Sequence, residues 1–168
     1  MELIVAVAII GLLTMLAFMN MSGLVGKSQF QSKAQKLINL MQMACESAEK
    51  TDVKYEVLFD LSQQFYQLSE INISNVNDLT DSNVIETGEF TDDFILSYVQ
   101  FDDLESTTED VAVFRAGRTG FQFGGKIVII DSQGQPYSLI ISRINCKAEL
   151  IKGDADLVMP RDKDDLPF

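Results

Sequence analysis

Glu2, Cys45 and Cys146 are the residues whose type and position invite chemistry, and the chain contains no histidine. A carboxylate at the lip of an apolar helix is costly to bury unless it is paired or neutralised. Glu2 stands at such a lip. Without histidine the chain lacks the commonest general base, the commonest metal ligand and the usual partner of a serine or cysteine nucleophile. Two cysteines do not make a zinc site by themselves. We therefore expect no enzyme, no cofactor and no metal. With Cys45 on a helix and Cys146 near a late strand, two readings stand: a disulfide pinning helix to sheet, or two separate buried thiols.

The elements that must position these residues differ along the chain. Leu3 to Met19 reads LIVAVAIIGLLTMLAFM, 17 residues without a charge. As a helix this run is about 25 Å long, close to the hydrocarbon thickness of a bilayer. Gly11 and the stretch from Asn20 to Gly26 are its expected soft points, because glycine weakens helices. After Gly26 the pattern turns amphipathic. Phe30, Ala34, Leu37, Ile38, Met41, Ala44, Cys45 and Ala48 fall on one helical face, opposite lysines and glutamines. Thr51-Asp52 marks the expected end.

Strand candidates follow. A hairpin is predicted over 53–68, with further strands over 94–101, 111–114, 121–123, 126–130 and 137–144, and an edge strand over 146–151. Asp131 to Pro136 reads as a hairpin turn. The expected organisation is an apolar helix over 1–26 and a globular head over 27–168. Within the head, an amphipathic helical half covers 27–50, a β-rich part 53–152 and an acidic tail 153–168. The tail, from Gly153-Asp154-Ala155-Asp156 to Asp162-Lys163-Asp164-Asp165, has carboxylates without an ordered calcium-ligand spacing, so we expect it to be solvated.

The charges are one-sided. Net charge is −12, from 25 acidic and 13 basic residues, and no lysine or arginine occurs between Tyr55 and Phe114. Such a surface repels phosphate backbones, so no nucleic-acid partner is expected. A solvated acidic surface is the plain interpretation. Attraction to a basic helix face around Lys33 and Lys36 of a neighbouring copy is the functional one.

The string Met1-Glu2-Leu3-Ile4-Val5-Ala6-Val7-Ala8-Ile9-Ile10-Gly11-Leu12-Leu13 resembles the processed N-terminus of type IV pilins and type II secretion pseudopilins. In that family a leader is cut before a phenylalanine, a glutamate follows shortly, and an apolar helix carries a glycine spaced as Gly11 is from Glu2. The family pattern places the cleavage a few residues upstream of Met1. The order of helix, hairpin and late strands also resembles the minor pseudopilin H (FimT-like) branch, with Cys45 where that branch usually has an arginine.

The resemblance implies an α+β, pilin-like fold: a long N-terminal α-helix packed on an antiparallel β-sheet head. It implies a structural subunit of a type II secretion pseudopilus or type IV pilus-like filament, stored in the bacterial inner membrane as a single-pass protein with a periplasmic head. The assembled form would be an extracellular or periplasmic filament. Glu2 and Gly11 would serve subunit assembly, with Glu2 neutralising the terminal amine of an adjacent subunit. Implied partners are copies of itself or other pilins and pseudopilins, prepilin peptidase, the inner-membrane assembly machinery, and membrane lipid before assembly. The alternative is a membrane-anchored periplasmic binding domain that does not polymerise.

Overall fold

A computed structural model describes residues 2–71, 82–103 and 105–157, with the side chains of residues 2, 16–25 and 82 left aside. Helix α1 runs from Glu2 to Thr51, 50 residues without a break at Gly11 or Gly26, a length of about 75 Å. Lys50 lies in its last turn, where a cation favours the helix dipole. Asp52 then adopts a left-handed backbone (φ 59°) and turns the chain into the first strand.

Ten strands follow. β1 (Lys54–Asp60), β2 (Phe65–Ile71), β3 (Ser82–Glu89), β6 (Val111–Gly117) and β7 (Gly120–Phe121) form one sheet, ordered β3-β2-β1-β6-β7. β4 (Phe94–Phe101), β5 (Ser106–Thr107), β8 (Gly125–Asp131), β9 (Pro136–Ile141) and β10 (Ala148–Lys152) form the other, ordered β10-β9-β8-β4-β5. Every strand pairing within them is antiparallel.

The fold class expected from the sequence, α+β with a long pilin-like N-terminal helix packed on an antiparallel β-sheet head, is corrected by this arrangement. The described part of the head is mostly β structure in two sheets, and the front of α1 from Leu3 to Met15 lies exposed, on neither of them. The sheets separate because partners far apart in sequence outcompete neighbours. β1 pairs with β6, and β4 pairs with β8 rather than with β3. β3 was not expected at all. Its sequence SNVIETGE lacks apolar alternation, and its pairing with β2 rests on backbone bonds that any residue can supply.

The core forms where the rear of α1 meets both sheets. All eight residues of the apolar stripe, Phe30 to Ala48, are buried, joined by Leu40. Phe30 packs on Phe94 of β4 at 5.3 Å and on Tyr137 of β9 at 4.4 Å between ring centroids. Phe101 of β4 meets Phe114 of β6 at 4.9 Å, which ties one sheet directly to the other. Burying each such aromatic or aliphatic side chain contributes about 1.5–3 kcal/mol. This central packing is the dominant stabilising term.

Gln64 adds a polar strut between the sheets. It sits in the β1–β2 turn with φ 54°, and its side-chain amide donates to the Leu96 and Leu61 carbonyls. Its side-chain oxygen accepts from the Leu96 N–H. Gly120 marks another close approach: φ is 107°, and an added Cβ would fall 2.3 Å from the Arg143 carbonyl oxygen. Gly120→Ala therefore combines a disfavoured backbone with a backbone clash. We expect a loss of at least about 2 kcal/mol in urea unfolding, with Gly134→Ala, which has positive φ but open space, losing less.

Candidate assembly surface and the links behind it

Every residue from Leu3 to Met15 is exposed, and the large ones are exposed by half or more, as Leu3 (77%) and Ile10 (61%) illustrate. Thr14 is the single polar residue of the uncharged run. Its hydroxyl bonds back to the helix, 2.8 Å from the Ile10 carbonyl and 2.9 Å from that of Gly11. That self-satisfaction leaves the segment without an unmet side-chain donor, as an apolar environment requires. Gly11 contributes a gap in the surface, since an added Cβ would meet nothing within 4 Å. The Glu2 side chain lies outside the described residues, so the charge pairing expected of it has no geometry here.

Among the described residues no helix is long and apolar enough to cross a membrane. The expected single-pass anchor is thus not supported by the described surface.

Cys45 and Cys146 are joined in a disulfide, with Cα atoms 5.5 Å apart and a sequence separation of 101. The bond fastens the buried stripe of α1 to the loop before β10. Cys146 holds a left-handed backbone (φ 51°) within that loop. Glu49 Oε1 lies 3.2 Å from Cys146 Sγ. A disulfide sulfur has no proton to donate, so this is a contact and not a hydrogen bond. The three residues are close enough to share an ion. The S–S bond, however, removes both thiolates that a metal would need.

The segment after β10 is tied to the sheet, with Asp154 still exposed. Lys126 of β8 is buried, and its Nζ donates to Asp154 Oδ1 at 2.6 Å and to the Ala155 carbonyl at 2.9 Å. The Tyr98 hydroxyl contacts both Asp154 oxygens at 2.7 and 2.8 Å. The ammonium also lies over the Tyr98 ring, 5.2 Å from its centroid. Ser138 completes the strap: its hydroxyl donates to the Gly153 carbonyl and accepts from the Ala155 N–H. The ammonium bonded to Asp154, helped by the Tyr98 hydroxyl, holds that carboxyl below the usual carboxylate range. Burial pulls the Lys126 pKa down, but its bonds to Asp154 and Tyr98 prevail and raise it. Over 153–155 the tail is tied to the sheet by the buried ammonium while the Asp154 carboxylate stays exposed to solvent. Residues 158–168 lie outside the described residues. Sequence reasoning missed Lys126; the available signal was a lone cation inside the apolar strand GKIVIID.

The charged surfaces also find partners within the chain. Lys36 Nζ pairs with Glu86 Oε1 at 2.9 Å, and Lys33 Nζ donates to the Thr91 hydroxyl. The basic helix face expected to meet a neighbouring copy thus engages this chain's own β3 and the following turn. Arg115 pairs with Glu56 at 2.8 Å, and Arg118 approaches Asp52 at 3.8 Å.

Two outcomes follow from these links. Replacing both cysteines by alanine removes a long loop closure and is expected to cost about 2–5 kcal/mol, read as a lower unfolding midpoint without reductant. The strap is titratable at both ends. Asp154, with its folded pKa lowered, contributes stability above the ordinary carboxylate range and loses it as pH falls through the folded value. Lys126, with its folded pKa raised, contributes below the ordinary ammonium range and loses it as pH rises through the folded value. The amide resonances of Gly153 and Ala155 should therefore hold their positions at neutral pH, and move as pH falls through the lowered Asp154 value or rises through the raised Lys126 value. Asp154→Ala should cost about 1–3 kcal/mol, because it strands a buried ammonium, whereas Lys126→Met should cost less.

No protein-family model matches the chain, and neither a curated protein nor a solved structure matches it.

Proposed function

We propose that this chain is a structural subunit of a type II secretion pseudopilus or type IV pilus-like filament, assembled through its N-terminal helix. The observation that carries the reading is the exposed apolar surface from Leu3 to Met15, on a helix whose rear half is fixed in a folded head. Contiguous apolar surface of this kind requires cover. Equivalent helices of neighbouring copies, or of other pilins and pseudopilins, supply it in a filament. Lipid supplies it beforehand. For that stored state the uncharged run extends in sequence to Met19, which supports a single-pass inner-membrane position with the head in the periplasm.

The resemblance at the N-terminus supports the same reading. Glu2 opens the apolar helix, and pairing it with a neighbour's terminal amine offsets the cost of burying both charges and sets axial register. Prepilin peptidase and the inner-membrane assembly machinery are the partners this role requires. The role is structural and involves no catalysis.

The full-length protein expressed with its assembly machinery provides the test. Glu2→Gln should leave the cellular level of the subunit unchanged and lower the yield of sheared filaments by about ten-fold or more, because one buried charge loses its partner. Normal filament yield from Glu2→Gln would sink the pairing role. A wild-type chain that never forms filaments, while remaining with the membrane fraction, would favour a non-polymerising binding domain.

A further inference from the structure

Where α1 enters the head, the β8–β9 turn comes against it, with Ser132 Oγ 3.8 Å from the position of a Cβ on Gly26. Between them lies a cleft of about 370 Å³, within the range of small-ligand sites. Its lining has an unusual composition for so acidic a chain. Lys27 comes from the helix and Lys152 from β10, and among the described residues neither has a carboxylate within ion-pair distance. Asp131 supplies one carboxylate. Its Oδ1 is occupied by the Gln133 and Gln135 N–H groups at 2.9 Å each, which leaves Oδ2 without a partner among the described residues. Phe30 and Tyr137 add an aromatic wall, and Ser132 a hydroxyl.

We propose that this cleft binds a phosphoethanolamine group, a phosphate ester carrying a primary ammonium. Two lysines on separate elements, with the Ser132 hydroxyl, suit the phosphate oxygens. A bare phosphate would be repelled by Asp131. A ligand that places an ammonium beside Asp131 Oδ2 converts that repulsion into a hydrogen-bonded ion pair, and the aromatic wall favours the same cation. The lining therefore matches both charges of a zwitterion and neither a simple anion nor a simple cation.

The group could belong to a phospholipid or to a soluble ester. The lipid source rests on the membrane position proposed above. A helix entering the hydrocarbon at Leu3 leaves it about 20 residues later, so Gly26 and Lys27 fall in the head-group layer. The chemistry of the cleft does not depend on that position.

Titration of the full chain with O-phosphoethanolamine, followed by NMR of the Tyr137 ring and the lysine side chains, tests the site. O-phosphoethanolamine should bind about ten-fold tighter than inorganic phosphate, the equivalent of about 1.4 kcal/mol. Lys27→Gln with Lys152→Gln should weaken both ligands. Asp131→Asn retains the Oδ1 acceptor that holds the turn, and should weaken only O-phosphoethanolamine. Equal binding of the two ligands, or no effect of either variant, overturns the proposal. Flotation separates the sources. Greater retention on phosphatidylethanolamine vesicles than on phosphatidylglycerol vesicles, lost in the double lysine variant, assigns the lipid. Failure to float on either vesicle removes the membrane position and assigns the soluble ester if the titration succeeds.

Discussion

The fold depends on one apolar stripe having two sheets to bury against. Phe30, Ala34, Leu37, Ile38, Met41, Ala44, Cys45 and Ala48 occupy one face of α1, and each is buried. Contacts from this helix reach β1, β6 and β7 of one sheet and β10 of the other. The small residues matter as much as the large ones. Ala34, Ala44 and Ala48 are fully buried on the same face, where small side chains keep the helix backbone close to the core. The sheets do touch directly, through Phe101 and Phe114. Without the stripe, however, the inner residues of β1 and β6 would face water, and the loss would exceed any single salt bridge or turn described above.

That constraint explains why some of the structure was legible in the residues and some was not. The stripe follows the helical period, and all eight positions chosen by spacing alone are buried. The β1–β2 hairpin and the β8–β9 hairpin announce themselves by local means, with Asp60 and Asp131 capping backbone N–H groups in the turns. β3 gives no such notice: Ser82 to Glu89 is polar and acidic, and its partner β2 decides its conformation. The division into two sheets is equally hidden, because it depends on β1 meeting β6 and β4 meeting β8 across long sequence distances. Long-range partnership is a property of the whole chain, and no local window contains it.

The candidate sites divide along the same line. Glu2, Gly11 and the apolar run carry a local signature, and Leu3 to Met15 are exposed. Lys126 and Asp154 stand 28 residues apart and join only because β8 and β9 form a hairpin and β10 returns beside β9. Once the sheet is built, burial compels the pairing: an ammonium inside a strand must find an acceptor, and the segment after β10 brings one. A carboxylate that reads as part of a solvated tail becomes a structural counter-ion for that reason.

The attachments of α1 to the head also suit a helix that would bear load. Phe30 at one end of the stripe is wedged against Phe94 and Tyr137, and Cys45 near the other end is covalently bound to Cys146. These points are separated by about 22 Å along the helix. A pull along the axis is opposed at one end by packed aromatics and at the other by a covalent bond. Sliding the helix by one residue would move the whole stripe out of register with both sheets at once, so the resistance is shared among all its buried contacts. Nothing in the described core relies on Leu3 to Met15, so the head keeps its packing independently of the exposed front of the helix.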